Sequence, residues 1–240
     1  VRSFAAFPAV YRLLLRSQVT RSRILALSAL GATAILVGFV IGRSDPVDPL
    51  ITGAAFINNF GLSVSVPVTS LVFASAALGD LTDDNTLVYL WVRPLRRWVV
   101  IVAAFLAAVT VTVPLVVVPL VIAASLTGGG DDLIVGTVFA ATLGVVAYAG
   151  LFTALGLRVR RALAWGLLYI LIWEGFVARG GDNAARLAVR SVTATILADW
   201  SNADVRLAVL APVTAYVAPF VVAVVALAYA SRRLSRQDVA

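Results

Sequence analysis

Long apolar runs, interrupted by short clusters of arginine, aspartate, glycine and proline, set the pattern of this chain. A bilayer core of roughly 30 Å is crossed by about 20 mostly apolar helical residues. On that measure six stretches read as spans: Ile24–Ile41, Ile51–Leu78, Trp98–Ser125, Leu133–Leu157, Ala162–Ala178 and Leu207–Ala230. The fifth is the shortest and carries the only glutamate, Glu174; if it turns back early, Gly180 to Arg206 is expected to form short helices at the outer interface. Ahead of the first run, Phe4, Phe7, Tyr11 and Leu14 recur at three- and four-residue steps, while Arg12, Arg16 and Arg23 recur at fours and sevens. That is the periodicity of an amphipathic helix lying in a headgroup layer. A signal peptide is the competing reading, but the 18-residue apolar run is long for an h-region and no clean A-x-A site precedes Gly42. The expected fold class is an all-α membrane protein: an interfacial helix over 1–23, six transmembrane helices over 24–230, and a tail over 231–240.

Charge adds an orientation. All 19 basic residues are arginine, and 14 of them fall before the first span, between spans two and three, between spans four and five, or after the sixth. Only Arg43, Arg179, Arg186, Arg190 and Arg206 fall on the other face. An even number of spans puts both termini on one side, and the positive-inside rule makes that side cytoplasmic. A net charge of +7 in a chain that is 61% hydrophobic points to anionic membrane lipids as a partner and away from nucleic acid. Val1 in place of Met is read as a GUG start or a trimmed terminus.

The missing residue types narrow the chemistry. Lys, His, Cys and Met are all absent. Without Lys there is no GxxxxGK[ST] phosphate loop and no Schiff base; without His or Cys there is no Ser-His-Asp or Cys-His catalysis and no thiolate or imidazole metal site. An enzyme is therefore not expected, and no cofactor is expected to be bound by this chain.

Ionisable residues inside spans cost at least ~2.5 to 3.5 kcal/mol on insertion scales and mark functional positions. Glu174 is the one such residue, roughly 18 Å up the fifth span at 1.5 Å per residue. It reads as part of an outer gate or substrate path. Alternatively it pairs with Arg179 or another outer-face arginine, or binds backbone amides where the short helix turns. The second span is polar for its place: Asn58, Asn59, Ser63, Ser65, Thr69 and Ser70 surround Pro67, which removes a backbone donor and crowds the turn near residue 63. Those residues suit either a water-accessible path or helix-helix hydrogen bonding. In the fourth span Gly136, Ala140 and Gly144 form a small-residue ridge, read as a packing face.

The segment between spans two and three runs Gly79-Asp80-Leu81-Thr82-Asp83-Asp84-Asn85-Thr86-Leu87-Val88-Tyr89-Leu90-Trp91-Val92-Arg93-Pro94-Leu95-Arg96-Arg97-Trp98. Asp83 or Asp84 can cap a short helix that Pro94 ends, holding Leu87, Leu90 and Trp91 beside the membrane with acids before and arginines after. This pattern resembles the signature of ABC exporter permeases of the type-2 class: an acidic residue, a Gly-Thr pair, Leu, aliphatics, then Pro and a basic residue before the third helix. Asn85 stands where Gly often precedes Thr86, and Asp80 stands for the more usual Glu; neither alters the charge pattern. Leu167-Leu168-Tyr169-Ile170-Leu171-Ile172-Trp173-Glu174-Gly175 is similar to the aromatic-plus-Glu end of the fifth helix in that class.

The resemblance covers the whole chain. It implies a homodimer, or a heterodimer with a related permease, bound to two copies of a separate ABC ATPase subunit that holds ATP and Mg. A coupling helix at 83–92 would dock there through Asp80, Asp83, Asp84, Leu87, Leu90, Trp91, Arg93 and Arg96. An outer-face helical hairpin is implied at 174–206, and a path or gate at Asn58, Asn59, Ser63, Thr69, Tyr169, Trp173 and Glu174. The few charges in the spans favour a lipophilic or amphiphilic cargo such as a drug, antibiotic or lipid. The implied location is a bacterial plasma membrane. The competing class is an ion-coupled secondary transporter, which calls for several buried acids.

Overall fold

The structure, a computed structural model, describes residues 7–83 and 97–236. Every element among them is helical. In chain order these are α1 (Phe7–Gln18), α2 (Arg21–Arg43), α3 (Pro49–Phe56), a π-helix π1 (Ile57–Ser65) and α4 (Val66–Asp83). They are followed by α5 (Arg97–Leu126), α6 (Asp131–Arg158), α7 (Ala162–Tyr169), a second π-helix π2 (Ile170–Glu174) and a 3₁₀ turn (Val177–Arg179). The series closes with α8 (Asp182–Ala185), α9 (Val189–Ser201) and α10 (Pro212–Arg236).

Among the described residues five stretches are long and apolar enough to cross a membrane: Arg21–Arg43, Pro49–Ala77, Trp98–Leu126, Asp131–Arg158 and Pro212–Leu234. The chain is thus a multi-pass helical membrane protein. The fifth expected span is shorter than the sequence suggested. Its apolar helix runs only over Ala162–Glu174 and breaks where Gly175, Gly180 and Gly181 follow. The last helix also starts later than Leu207, because Pro212 lacks an N–H and has its φ preset for the first turn of a helix.

α6 is the centre of the bundle, with α4, α5, α9 and α10 packed around it. Hydrophobic burial does not drive helices together in lipid, so close backbone approach carries much of the packing. A Cβ on Gly38 of α2 would meet the Ala123 carbonyl oxygen of α5 at 2.6 Å. The ridge on α6 works in the same way: a Cβ on Gly144 would meet Thr193 Cγ2 at 2.8 Å, and one on Gly136 would meet Trp200 Cβ at 3.1 Å. That ridge receives α9, and Phe139 stacks on Trp200 with ring centroids 5.2 Å apart.

These contacts place α9 inside the bundle. Its first half lies level with Gly144, near the middle of α6, and its last turn lies level with Gly136, near the Asp131 end. Val189 through Leu197 are buried without exception. α9 is thus a short helix packed into the bundle against α6 and not laid on its surface. It tolerates the interior in part because three of its hydroxyls return their hydrogen bonds to its own carbonyls, Thr193 to Arg190 at 2.9 Å, Thr195 to Ser191 at 2.9 Å and Ser201 to Leu197 at 2.7 Å.

α1 lies against α5. Val10 and Leu14 are buried in an apolar cluster with Ala103, Ala104 and Ala107, and the Tyr11 hydroxyl donates to Thr110 Oγ1 at 2.9 Å. Its outward face keeps Leu13 exposed, as an amphipathic helix does. α2 and α10 are covered on one side only; Leu25, Leu36, Val217, Val224 and Val225 are exposed, the condition of helices that face lipid.

Candidate functional site

Pro67 decides the local shape of the second long helix. It has no N–H to donate and its ring crowds the carbonyl one turn earlier. The ladder before it widens into π1, and the Val66 N–H reaches the Gly61 carbonyl, five residues back. The same spacing lets Ser63 Oγ donate to the Asn58 carbonyl at 2.6 Å. Widening also turns the two asparagines apart. Asn58 is buried and its Nδ2 donates to the Arg206 carbonyl at 3.1 Å, while Asn59 is exposed.

Across from π1 stands π2, closed by the Gly175 N–H on the Ile170 carbonyl at 2.9 Å. Its last residue is Glu174, only 2% exposed. An ionised carboxylate so deep needs partners in hand. Glu174 Oε1 accepts from the Tyr169 hydroxyl at 2.9 Å and the Val189 N–H at 3.1 Å, and Oε2 accepts from the Arg190 N–H at 3.0 Å. Val189 and Arg190 open α9, whose N-cap position is Ala188, a residue with no side-chain acceptor. Glu174 thus caps α9 from 15 residues upstream, with its negative charge at the positive end of the helix dipole. Of the alternatives raised for this residue, the geometry is that of backbone-amide binding.

Arg190, counted from sequence on the outer face, is 2% exposed, with Nη2 donating to Asn59 Oδ1 at 3.1 Å. Its segment also carries Ser191, Thr193 and Thr195, so no local pattern marks it as buried. Tyr148 of α6 was also missed. It is fully buried, in electrostatic range of both Glu174 and Arg190.

The loop after α9 is fastened to the same cluster. Leu207 has φ 75°, in the left-handed region that a bulky side chain rarely adopts, and its carbonyl accepts from the Val209 N–H at 2.9 Å. Two bonds hold it in place, Ser191 Oγ to the Leu207 carbonyl at 2.8 Å and Asn58 Nδ2 to that of Arg206.

Of the path residues expected from sequence, Asn59, Ser63 and Glu174 meet at one pocket of about 260 Å³ between π1 and π2, with Arg190 beside them. Tyr169 braces Glu174 and sets its ring edge-on to Phe152. Trp173 lies on the other side of π2, in an apolar groove of about 330 Å³ with Leu155, Trp165 and Leu168. Thr69 is buried and lines neither. In the expected docking segment, Asp84, Leu87, Leu90, Trp91, Arg93 and Arg96 lie outside the described residues, as do the side chains of Asp80 and Asp83. Among the described residues no group of three or more acidic residues is placed to hold a metal ion.

No known family model, no curated protein and no solved structure matches the chain.

Proposed function

We propose that this chain is the membrane-spanning subunit of an ATP-binding-cassette exporter of the type-2 class in a bacterial plasma membrane. It pairs with a second copy or a related permease and with two copies of a separate ATPase that binds ATP and Mg. On this reading both termini are cytoplasmic and Ala162–Glu174 completes six membrane passages together with α9. The observation that carries the proposal is the order of elements around the 79–98 motif: an amphipathic α1, long helices, and a fifth helix broken at an aromatic-plus-Glu end and folded back into the bundle. ATP-driven closure of the ATPases would push on 83–92, and the displacement would reach the path along the second and fifth helices, where π1 and π2 face each other. The cargo is lipophilic or amphiphilic.

An ion-coupled transporter needs a carboxylate that exchanges its proton or cation. Glu174 has both oxygens bound to α9 and Tyr169, an arrangement that favours holding a helix in place over cycling an ion. The test is co-purification with the ATPase encoded beside this chain. The pair is expected to isolate together and to hydrolyse ATP in a vanadate-sensitive manner, and Leu90→Asp or Trp91→Asp to abolish both binding and transport. Retention of both by these variants means that the docking assignment is wrong.

A further inference from the structure

The apolar groove beside Trp173 ends in a change of chemistry. Trp165, Leu168, Ile172 and Trp173 form one wall, and Leu155 and Val159 at the end of α6 form the other. From Trp165 to Ile172 the helix rises about 10 Å. The hydroxyl of Tyr169, which also lines the groove, is spent on Glu174, so this residue offers its ring. Among the described residues no carboxylate lines the groove. Trp165 and Leu168 are exposed, so the groove opens sideways, on the surface that a membrane covers.

Val159 lies in the turn that joins α6, a helix long enough to cross the bilayer, to α7. That turn carries three arginines, and they differ in what they hold. Arg158 is turned to α10: its Nη1 donates to the Tyr229 hydroxyl at 2.5 Å, with the guanidinium 5.9 Å from the ring centroid. Arg160 and Arg161, on the C-terminal side of Val159, are exposed, and their guanidinium groups make no ion pair or hydrogen bond among the described residues. Arg161 has φ 60°, in the left-handed region that glycine occupies without strain, so the turn places a charge where the backbone favours a residue with no side chain.

Two exposed cations at the edge of the bilayer, above a slot that is apolar along its length, complement an anionic lipid. A soluble anion gains nothing from the indole and leucine walls, and a zwitterionic lipid gains little from the arginines. We infer that the groove between α6 and α7 holds an anionic phospholipid, its phosphate on Arg160 and Arg161 and one acyl chain along Trp165, Leu168 and Ile172. This inference rests on the membrane character of the chain and not on the exporter reading.

Two of the five tryptophans of the chain line the groove, which supplies the readout. The full chain is placed in phosphatidylcholine vesicles, and its fluorescence is quenched with phosphatidylglycerol or phosphatidylcholine brominated on the acyl chains. The share of quenching that disappears in Trp165→Phe/Trp173→Phe belongs to the groove. That share is expected to reach half its maximum at a roughly tenfold lower mole fraction of the anionic lipid. Arg160→Gln/Arg161→Gly, at exposed positions, is expected to bring the two curves together. Arg12→Gln/Arg16→Gln removes two charges from α1 and is expected to leave the preference intact. Millimolar inorganic phosphate is expected not to relieve the quenching. Equal half-quenching by the two lipids, a preference that survives the loss of Arg160 and Arg161 or vanishes equally with the α1 charges, or relief by phosphate alone overturns the proposal.

Discussion

Glu174 illustrates why the role of a buried ionisable residue is decided by its partners. From sequence it is a lone acid in an apolar run; in the fold it is the missing cap of a helix that begins at Val189. Hydrogen bonds to a charged group contribute about 1.5–3 kcal/mol each, and a buried donor left without a partner costs about 1–3 kcal/mol. Glu174→Gln keeps an acceptor for one edge of the cap but turns an NH₂ toward the other. It is expected to destabilise the protein by about 2 kcal/mol, read as a lower Tm of the detergent-solubilised chain. Tyr169→Phe removes one donor and leaves the cap intact, so its loss should be smaller, about 1 kcal/mol. An unchanged Tm for Glu174→Gln means that α9 is held by packing alone. Arg190 and Tyr148 were illegible for a related reason: their burial depends on where α9 comes to rest, and no local pattern encodes that.

Among the elements, the second long helix was the most readable and the fifth the least. Pro67 announces a disturbed ladder on any backbone, because a missing donor and a ring clash are local facts. That the disturbance takes the form of a π-helix over Ile57–Ser65, separating Asn58 from Asn59, is a tertiary outcome. The shortness of Ala162–Glu174 was visible as an apolar run too brief to cross with ease, whereas the burial of α9 was not, since small and hydroxylated residues suit an interface and an interior equally. The contact between α2 and α5 gives a test at this scale. Gly38→Val places a side chain against the Ala123 backbone, and overpacking of this kind costs about 1–3 kcal/mol. Its expected signature is loss of thermal stability in detergent, while the same change at the exposed Leu36 should be silent.

For the molecule as a whole, the orientation derived from arginines can be checked on a clean background, because the chain has no cysteine to remove. Ser44→Cys and Arg160→Cys are exposed positions at opposite ends of the bundle. In intact cells a membrane-impermeant maleimide is expected to label the first and to reach the second only after lysis; the reverse pattern would invert the topology. The sequence by itself determined that this is a multi-pass helical membrane protein, where its long helices begin and end within a few residues, and that its chemistry excludes lysine, histidine and thiols. Those are consequences of run length, hydropathy and residue identity, which do not depend on how the helices meet. Only the tertiary structure decided that one arginine is buried, that a glutamate caps a helix 15 residues downstream, and that two π-helices line one pocket. Hydrogen bonds between distant residues become available only once packing brings the groups within about 3 Å, and that distance is a property of the assembled bundle.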